Sequence, residues 1–227
     1  MIRFPLPVKM PRIVKWIYPD YLWDKKRECG GKQVLYLTFD DGPIPEVTPW
    51  VLDILEQYNA KATFFLIGDN IDKHPEIFQD VLRSGHRLGN HTYNHLNGRK
   101  TNTSVYMENI ARTDQKLAES IQKMAPELLS EYENKGKIFR PPYGQLKKDQ
   151  ARLIRKELYS IVLYDTLAYD WEQQINGEKC TKNVLNNAEN GSIVLFHDSL
   201  KAFKNLKIAL PKVLEHFSAQ GYDFKAL

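Results

Sequence analysis

The sequence predicts an α/β fold with parallel strands, on three observations. Short apolar runs alternate with segments of helical periodicity about seven times along the 227 residues. No composition shift or low-complexity linker marks a boundary between two domains. Hydrophobic residues make up 42% and charged residues 26% of the chain, a globular composition that excludes predominant disorder. A barrel and an open doubly wound sheet both fit this alternation.

Each predicted strand is a short apolar run that ends at a turn signal. The first, at residues 34–39, ends at Asp-Asp-Gly-Pro, and the second, at 62–67, ends at Gly68. The remaining predicted strands lie at 86–90, 138–140, 160–165 and 192–197, with 222–224 closing the set.

The predicted helices carry apolar residues at helical spacing. Residues 74–84 also have Pro75 in the first turn and Gly85 after the end, which are typical helix boundaries. The other predicted helices are 45–58, 104–124, 146–158, 181–188 and 206–217. The polar stretch 126–137 is predicted to be a loop.

The division predicted from this pattern is an irregular N-terminal arm at 1–32 and one catalytic domain at 33–227. Three prolines, Pro5, Pro7 and Pro11, interrupt the arm, and its aromatic residues predict that it packs on the domain. The alternative for 1–32 is peripheral contact with a membrane. No apolar run reaches the length of a membrane span and no export signal is recognisable, so the expected location is cytoplasmic.

Charge and cysteine content exclude several classes of protein. The formal net charge is +4 and the basic residues are scattered, so nucleic-acid binding is not expected. Two cysteines, Cys29 and Cys180, cannot form a disulfide framework. They either pair with each other or remain free thiols. The oligomeric state cannot be read from the sequence.

Two groups of residues at predicted strand ends could bind a metal ion and move protons. In Asp40-Asp41, adjacent carboxylates point in different directions, so one can bind a metal while the other accepts a proton. The alternative is plain turn chemistry. His91 and His95 are four residues apart, a spacing that brings two imidazoles to one ion on a helical turn, unless they are unrelated surface histidines. With Asp41 they would leave a coordination position open.

Three further groups could complete a hydrolytic site. Arg140 can hold a carboxylate, and the prolines after it could aim the amide of Tyr143 at a developing oxyanion. His197 ends an apolar strand, and Asp170 beside Trp171 could orient its imidazole. Taken singly, each has a structural alternative: a rigid loop, a core histidine, or a loop aspartate beside a packing aromatic residue.

The order of these motifs resembles the NodB-type polysaccharide deacetylases, carbohydrate esterase family 4, over roughly residues 33–225. The residues that carry the resemblance are Thr38-Phe39-Asp40-Asp41-Gly42-Pro43, His91-x-x-x-His95, Arg140-Pro-Pro-Tyr-Gly, Asp170-Trp171 and Leu195-x-His197. The resemblance implies a distorted (β/α) barrel with seven strands and one divalent metal ion, with zinc as the expected metal.

The resemblance also implies a role for each matched residue. Asp41, His91 and His95 would hold the metal. Asp40 would be the general base, tethered by Arg140, and His197 would be the general acid, oriented by Asp170. Tyr143 would supply the oxyanion-hole amide. Trp171 and Leu195 would line the pocket for the acetyl methyl group.

The implied reaction is removal of acetyl groups from N-acetylated amino sugars, such as N-acetylglucosamine in peptidoglycan or chitin-like glycans. One departure puts the substrate in question, because Leu167 stands where the family usually has a first aspartate, and Asp165 lies two residues earlier. Two alternatives remain open. The same site could act on an O-acetyl ester or a small cyclic amide, or the chain could be a non-catalytic carbohydrate-binding protein.

Overall fold

Seven parallel strands form one curved sheet, and an eighth short strand pairs with a strand inside it. The structure, a computed structural model, describes residues 6–227. The strands are β1 (Val34–Asp40), β2 (Thr63–Leu66), β3 (Arg87–Asn90), β4 (Lys137–Phe139), β5 (Tyr159–Ile161), β6 (Thr166–Leu167), β7 (Ile193–His197) and β8 (Asp223–Phe224). Their order is β5-β4-β3-β2-β1-β7-β6, with β8 on β1. The prediction of a distorted seven-stranded (β/α) barrel is confirmed.

The central strands are apolar because both of their faces are covered. All seven residues of β1 are buried, as are all four of β2. Phe39 stacks between Phe64 and Phe196 of the two flanking strands, at centroid distances of 5.1 and 5.9 Å. Asp40 follows Phe39 directly, and His197 follows Phe196, so two candidate site residues come directly after this stack.

Helices cover the outside of the sheet. They are α1 (Arg12–Ile17), α2 (Val47–Gln57), α3 (Gly68–Lys73), α4 (Pro75–Arg83), α5 (Thr103–Met124), α6 (Leu129–Asn134), α7 (Lys148–Lys156), α8 (Gly177–Leu185) and α9 (Leu200–Ala219). The long helix α5 buries Ile110, Leu117 and Ile121. None of the helices in residues 6–227 is long and apolar enough to cross a bilayer.

Several predicted elements were wrong. The expected loop at 126–137 contains α6, because Leu128, Leu129 and Tyr132 pack against the main core. The expected strand at 160–165 ends as β5 at Ile161, and β6 begins only at Thr166. The short helix α3 was not predicted, and α9 begins six residues before the predicted start at 206.

The N-terminal arm runs between the two outer strands of the sheet. An antiparallel bridge joins Lys9 to Thr166 of β6, and a parallel bridge joins Leu22 to Val162, just after β5. Met10 and Trp23 are buried there, in a cluster with Leu163, Leu167 and Leu195. The arm is less irregular than expected, because α1 begins directly after Pro11. The first five residues of the predicted arm lie outside the described residues.

Buried charge fastens the arm to the sheet. The fully buried carboxylate of Asp165 pairs with Lys15 and, at 2.6 Å, with Lys9. Ser192 also donates its hydroxyl to Asp165, and Glu189 pairs with Lys9 at 2.7 Å. Asp165 therefore anchors the arm. Leu167, which stands where the family usually has an aspartate, is a buried apolar residue. Cys29 and Cys180 are both buried free thiols, so the pairing left open by the sequence does not occur.

Candidate active site

The reactive residues gather at the carboxyl ends of the central strands. Asp40 ends β1 and His197 ends β7, and strand pairing sets these two residues side by side. His91 follows β3 directly, and Arg140 follows β4. Parallel strands bring these ends to one edge of the sheet, which is where α/β proteins build their sites.

Asp41, His91 and His95 form a cluster of metal-ligand type. One ligand atom from each lies within 4.8 Å of the others. Asp41 Oδ1 lies 3.3 Å from His95 Nε2 and 3.8 Å from His91 Nε2. This Oδ1 is buried and has no hydrogen-bond partner among the described residues. A buried carboxylate oxygen without a partner between two imidazoles fits a divalent cation, which would supply the missing contact.

The protonation states of Asp41 and His91 also favour the binding of a cation. Burial opposes the charge of Asp41, but the nearby imidazoles of His95, His197 and His91 lower the pKa of that carboxyl. Burial lowers the pKa of His91 to about 4, so its imidazole is neutral near pH 7. Ionised carboxylate and neutral imidazole are the forms that bind metals. His91 Nδ1 lies 2.7 Å from the carbonyl of Arg140, which orients Nε2 towards Asp41.

The two histidines do not share a helical turn, so the geometry assumed from their spacing was wrong. Residues 91–95 form a loop in which Thr92 and His95 take left-handed conformations, with φ of 63° and 53°. This folded loop brings the imidazole rings to 5.1 Å between centroids. The two histidines approach each other as the spacing predicted, but through a loop rather than a helical turn.

Arg140 holds Asp40 in a buried ion pair. Its guanidinium donates to Asp40 Oδ1 at 2.8 Å and to Thr38 Oγ1 at 2.7 Å. It also donates to the carbonyl of Leu163 at 2.8 Å and lies over the ring of Phe65. Asp40 and Arg140 are almost fully buried. The contacts fix Asp40 Oδ1 and leave Oδ2 facing His91 Nε2 at 3.8 Å.

Asp170 orients His197. Its Oδ1 lies 3.0 Å from His197 Nδ1, and its Oδ2 accepts the backbone N–H of His197 at 2.7 Å. Burial opposes the charge on His197, but the charge and hydrogen bond of Asp170 outweigh it and raise the pKa to about 9. The indole of Trp171 packs against the imidazole, with centroids 4.5 Å apart. His197 is therefore protonated at neutral pH and presents Nε2 to the site.

The remaining predicted site residues lie at the rim and in the wall. Tyr143 has a left-handed backbone with φ of 60°, and its exposed ring packs edge-on against His95 at 4.7 Å. Leu195 is buried in the cluster that contains Trp23 of the arm, and Trp171 packs at the edge of that cluster. The arm thus contributes to the wall beside Leu195.

Two residues of the site were missed from sequence. Asp198 is buried and accepts the N–H of Gly42 at 3.0 Å and the hydroxyl of Thr48 at 2.6 Å, so it holds the turn after Asp41. Asn109 of α5 contacts the loop between His91 and His95. The motif spacing does not indicate a role for either residue. The one sequence signal that could have pointed to Asp198 is its position directly after His197.

Comparisons with known proteins agree with this geometry. The family model described as polysaccharide deacetylase matches residues 27–160. A Bacillus cereus protein named peptidoglycan-N-acetylglucosamine deacetylase is 36% identical over 197 residues, covering 86% of this chain and 67% of the relative. A Listeria monocytogenes protein, peptidoglycan-N-acetylglucosamine deacetylase PgdA, is 33% identical over 83% of this chain but only 36% of its own length. Among solved structures, the Bc1960 peptidoglycan N-acetylglucosamine deacetylase superposes with a TM-score of 0.79 at 32% identity, covering 94% of both chains.

Proposed function

The chain belongs to the polysaccharide deacetylase family, and we propose that it removes the acetyl group from N-acetylglucosamine residues of peptidoglycan. Membership confirms the resemblance predicted from the motifs and makes the chain a hydrolase. The peptidoglycan substrate is carried over from the relatives' names. The observation that carries the assignment of the site is Asp41 Oδ1, which lies between His91 and His95 without a hydrogen-bond partner among the described residues, next to the paired strand ends Asp40 and His197.

We assign the metal site to Asp41, His91 and His95. Two imidazoles and one carboxylate are a ligand set that leaves open positions, and zinc is the proposed metal because it favours nitrogen with carboxylate oxygen. When bound, the ion supplies Lewis acidity that makes water a stronger acid and stabilises negative charge on the carbonyl oxygen.

Asp40 is the proposed general base. Arg140 occupies Oδ1 at 2.8 Å, so Oδ2 is the atom left to accept a proton from the attacking water. The fixed guanidinium also keeps the carboxylate from turning away. In the family assignment, the amide of Tyr143 donates to the oxyanion that forms on the acetyl group.

His197 is the proposed general acid. Asp170 holds Nδ1, so Nε2 is free to donate a proton to the amine as the carbon–nitrogen bond breaks. Water adds its oxygen to the acetyl carbon, and the products are acetate and the free amino sugar. Leu195 and Trp171 are the proposed wall for the acetyl methyl group.

Acetate release tests the proposal directly. Zinc-loaded and chelator-stripped protein are compared on peptidoglycan fragments, N-acetylglucosamine oligomers and O-acetylated xylan oligomers. We expect metal-dependent release that is fastest from the peptidoglycan fragments. Release from the O-acetyl esters alone would overturn the amide substrate, and no release with one bound metal per chain would overturn the deacetylase activity of this site.

A further inference from the structure

The loop that carries the two histidines has a backbone shape that its own residues do not favour. Thr92 is β-branched, yet it takes a left-handed conformation, as does His95. A loop with two such residues keeps its shape only where its surroundings hold it. Within the loop, Asn90 Oδ1 accepts the N–H of Thr92 and Thr92 Oγ1 accepts the N–H of Leu96. Further contacts come from two neighbouring helices, α3 and α5.

The first helix, α3, holds the loop through backbone atoms alone. The N–H of Gly68 donates to the carbonyl of Thr92 at 3.2 Å, and the N–H of Asp69 donates to the carbonyl of Tyr93 at 2.9 Å. These contacts fix the carbonyl side of the loop and depend on no side chain.

The second helix, α5, holds the N–H side through one side chain. Asn109 Oδ1 accepts the N–H of Tyr93 at 2.8 Å and the N–H of Asn94 at 3.0 Å. Asn109 Nδ2 donates to Asn94 Oδ1 at 3.0 Å. Because two N–H groups point at the same atom of Asn109, that atom must be the amide oxygen, and this determines the orientation of the side-chain amide.

We infer that Asn109 is a positioning residue for the metal site, because it sets the backbone that carries His95 towards Asp41 and His91. The inference rests on the proposed metal site. It goes beyond that site, since the side-chain amide of Asn109 is engaged with the backbone of Tyr93 and with Asn94 rather than with Asp41 or either histidine.

His95 depends on this loop more than His91 does. His91 follows β3 directly, and its ring is held by the Arg140 carbonyl at 2.7 Å. The described contacts of the His95 ring are the Asp41 carboxylate and the rings of His91 and Tyr143, which are themselves parts of the site or its rim. Loss of the Asn109 contacts therefore loosens one ligand of three and leaves the other two in place.

Zn²⁺ affinity of the full chain tests the inference without relying on turnover. The apo protein is titrated with Zn²⁺ in competition with a chromophoric chelator at one pH. Asn109→Ala removes the three contacts. Its matched control is Gln115→Ala on the same helix, where the exposed amide donates to the Glu119 side chain at 2.7 Å and has no other hydrogen bond among residues 6–227. Alanine is a better helix former than asparagine or glutamine, so both variants are expected to fold.

We expect Asn109→Ala to bind Zn²⁺ about 10–100-fold more weakly, the usual effect of losing an outer contact of a metal site, while Gln115→Ala binds like the wild type. Asn109→Asp keeps the accepting oxygen and should bind more tightly than Asn109→Ala. Melting temperatures of the apo variants should match, which separates positioning from a general loss of stability.

Two results would overturn the inference, and they differ from each other. If the wild type binds Zn²⁺ and Asn109→Ala binds it equally well, the role of Asn109 fails while the metal site stands. If the wild type binds no Zn²⁺, the metal site fails and the inference fails with it.

Discussion

At the scale of single residues, the two adjacent aspartates separate because one of them turns the backbone. Asp41 has a left-handed φ of 87°, so its carboxylate faces the histidines, whereas Asp40 ends β1 in register and faces Arg140. Asp198 stabilises this turn from the neighbouring strand end through the N–H of Gly42. A side chain at Gly42 would collide with the Asp198 carboxylate, so glycine is required at that position.

Asp40→Asn tests the general base. The amide keeps the shape of the carboxylate but cannot accept the proton, so we expect kcat to fall by about 10²–10⁴-fold. Zinc content measured by atomic absorption should stay at the wild-type level, because Asp40 is not one of the proposed ligands. A variant with near wild-type kcat would rule out the assignment.

Asp170→Asn tests the general acid through pH dependence. The raised pKa of His197, about 9, keeps the acid protonated at neutral pH, and the activity should decline as pH rises through that value. Without the charge of Asp170, burial dominates and the pKa falls. The alkaline limb of kcat/KM should then move to lower pH. An unmoved alkaline limb in the variant would show that another group gives rise to it.

At the scale of elements, buried charge decides how the arm is attached. Lys9 and Lys15 both reach Asp165, and Lys9 and Lys26 both reach Glu189. Burial opposes the charge of Asp165, but hydrogen bonds from Lys15, Lys9 and Ser192 lower its pKa. The hydrogen bonds from Lys26 and Lys9 lower the pKa of Glu189 from 4.5 to about 2.

Acid should weaken the attachment of the arm before it unfolds the sheet. A carboxylate with a lowered pKa stabilises the folded state fully above its unfolded pKa, near 4.5 for Glu189. That contribution disappears as the pH falls towards about 2. We expect the protection factors of the Met10 and Leu22 amides, which correct for the slower intrinsic exchange in acid, to fall over this window ahead of those in β1. Asp165→Asn should show faster exchange at the arm already at pH 7, and equal exchange in both proteins would refute the anchoring role.

At the scale of the whole molecule, the arm is part of the core. Its buried residues Met10 and Trp23 fill the space between the outer strands and reach Leu195, one of the proposed pocket residues. The indole N–H of Trp23 donates to the carbonyl of Tyr18 at 3.0 Å, so its polar group is satisfied inside. The boundary expected at residue 32 therefore separates the arm from the first strand along the chain, but the two sides of the boundary pack together as one unit.

Trp23→Ala should destabilise the whole molecule. Deleting a buried tryptophan costs about 3–5 kcal/mol of unfolding free energy, which chemical denaturation can measure. Trp16 lies on the same arm and is 76% exposed, so Trp16→Ala is the matched control and should change stability by no more than about 0.5 kcal/mol. Equal stability of the two variants would mean that the arm packs on the domain without supporting it.

The order of elements was largely predictable because local patterns determine it. Buried parallel strands are continuous apolar runs, and the sequence Asp-Asp-Gly-Pro predicts the turn after β1. The errors fell where local patterns conflict with packing. The stretch around α6 is polar in composition, yet three of its apolar residues pack against the main hydrophobic core. The chain after β5 is apolar, yet it leaves the sheet to contact Arg140 and the arm.

The sequence by itself determined the α/β class and, through the order of its motifs, the family, and the resemblance to that family implied the barrel. It also identified candidate site residues, because the chemistry of a ligand or a base is a property of its side chain. Only the tertiary structure decided which atoms meet. Arg140 reaches Asp40 across 100 positions, and Asp198 reaches Gly42 across 156. The left-handed turns at Asp41, Thr92 and His95 and the contacts of Asn109 with the histidine loop are likewise features that only the tertiary structure reveals. A sequence pattern records residue types and spacing, whereas such contacts form only when the strands close around one another.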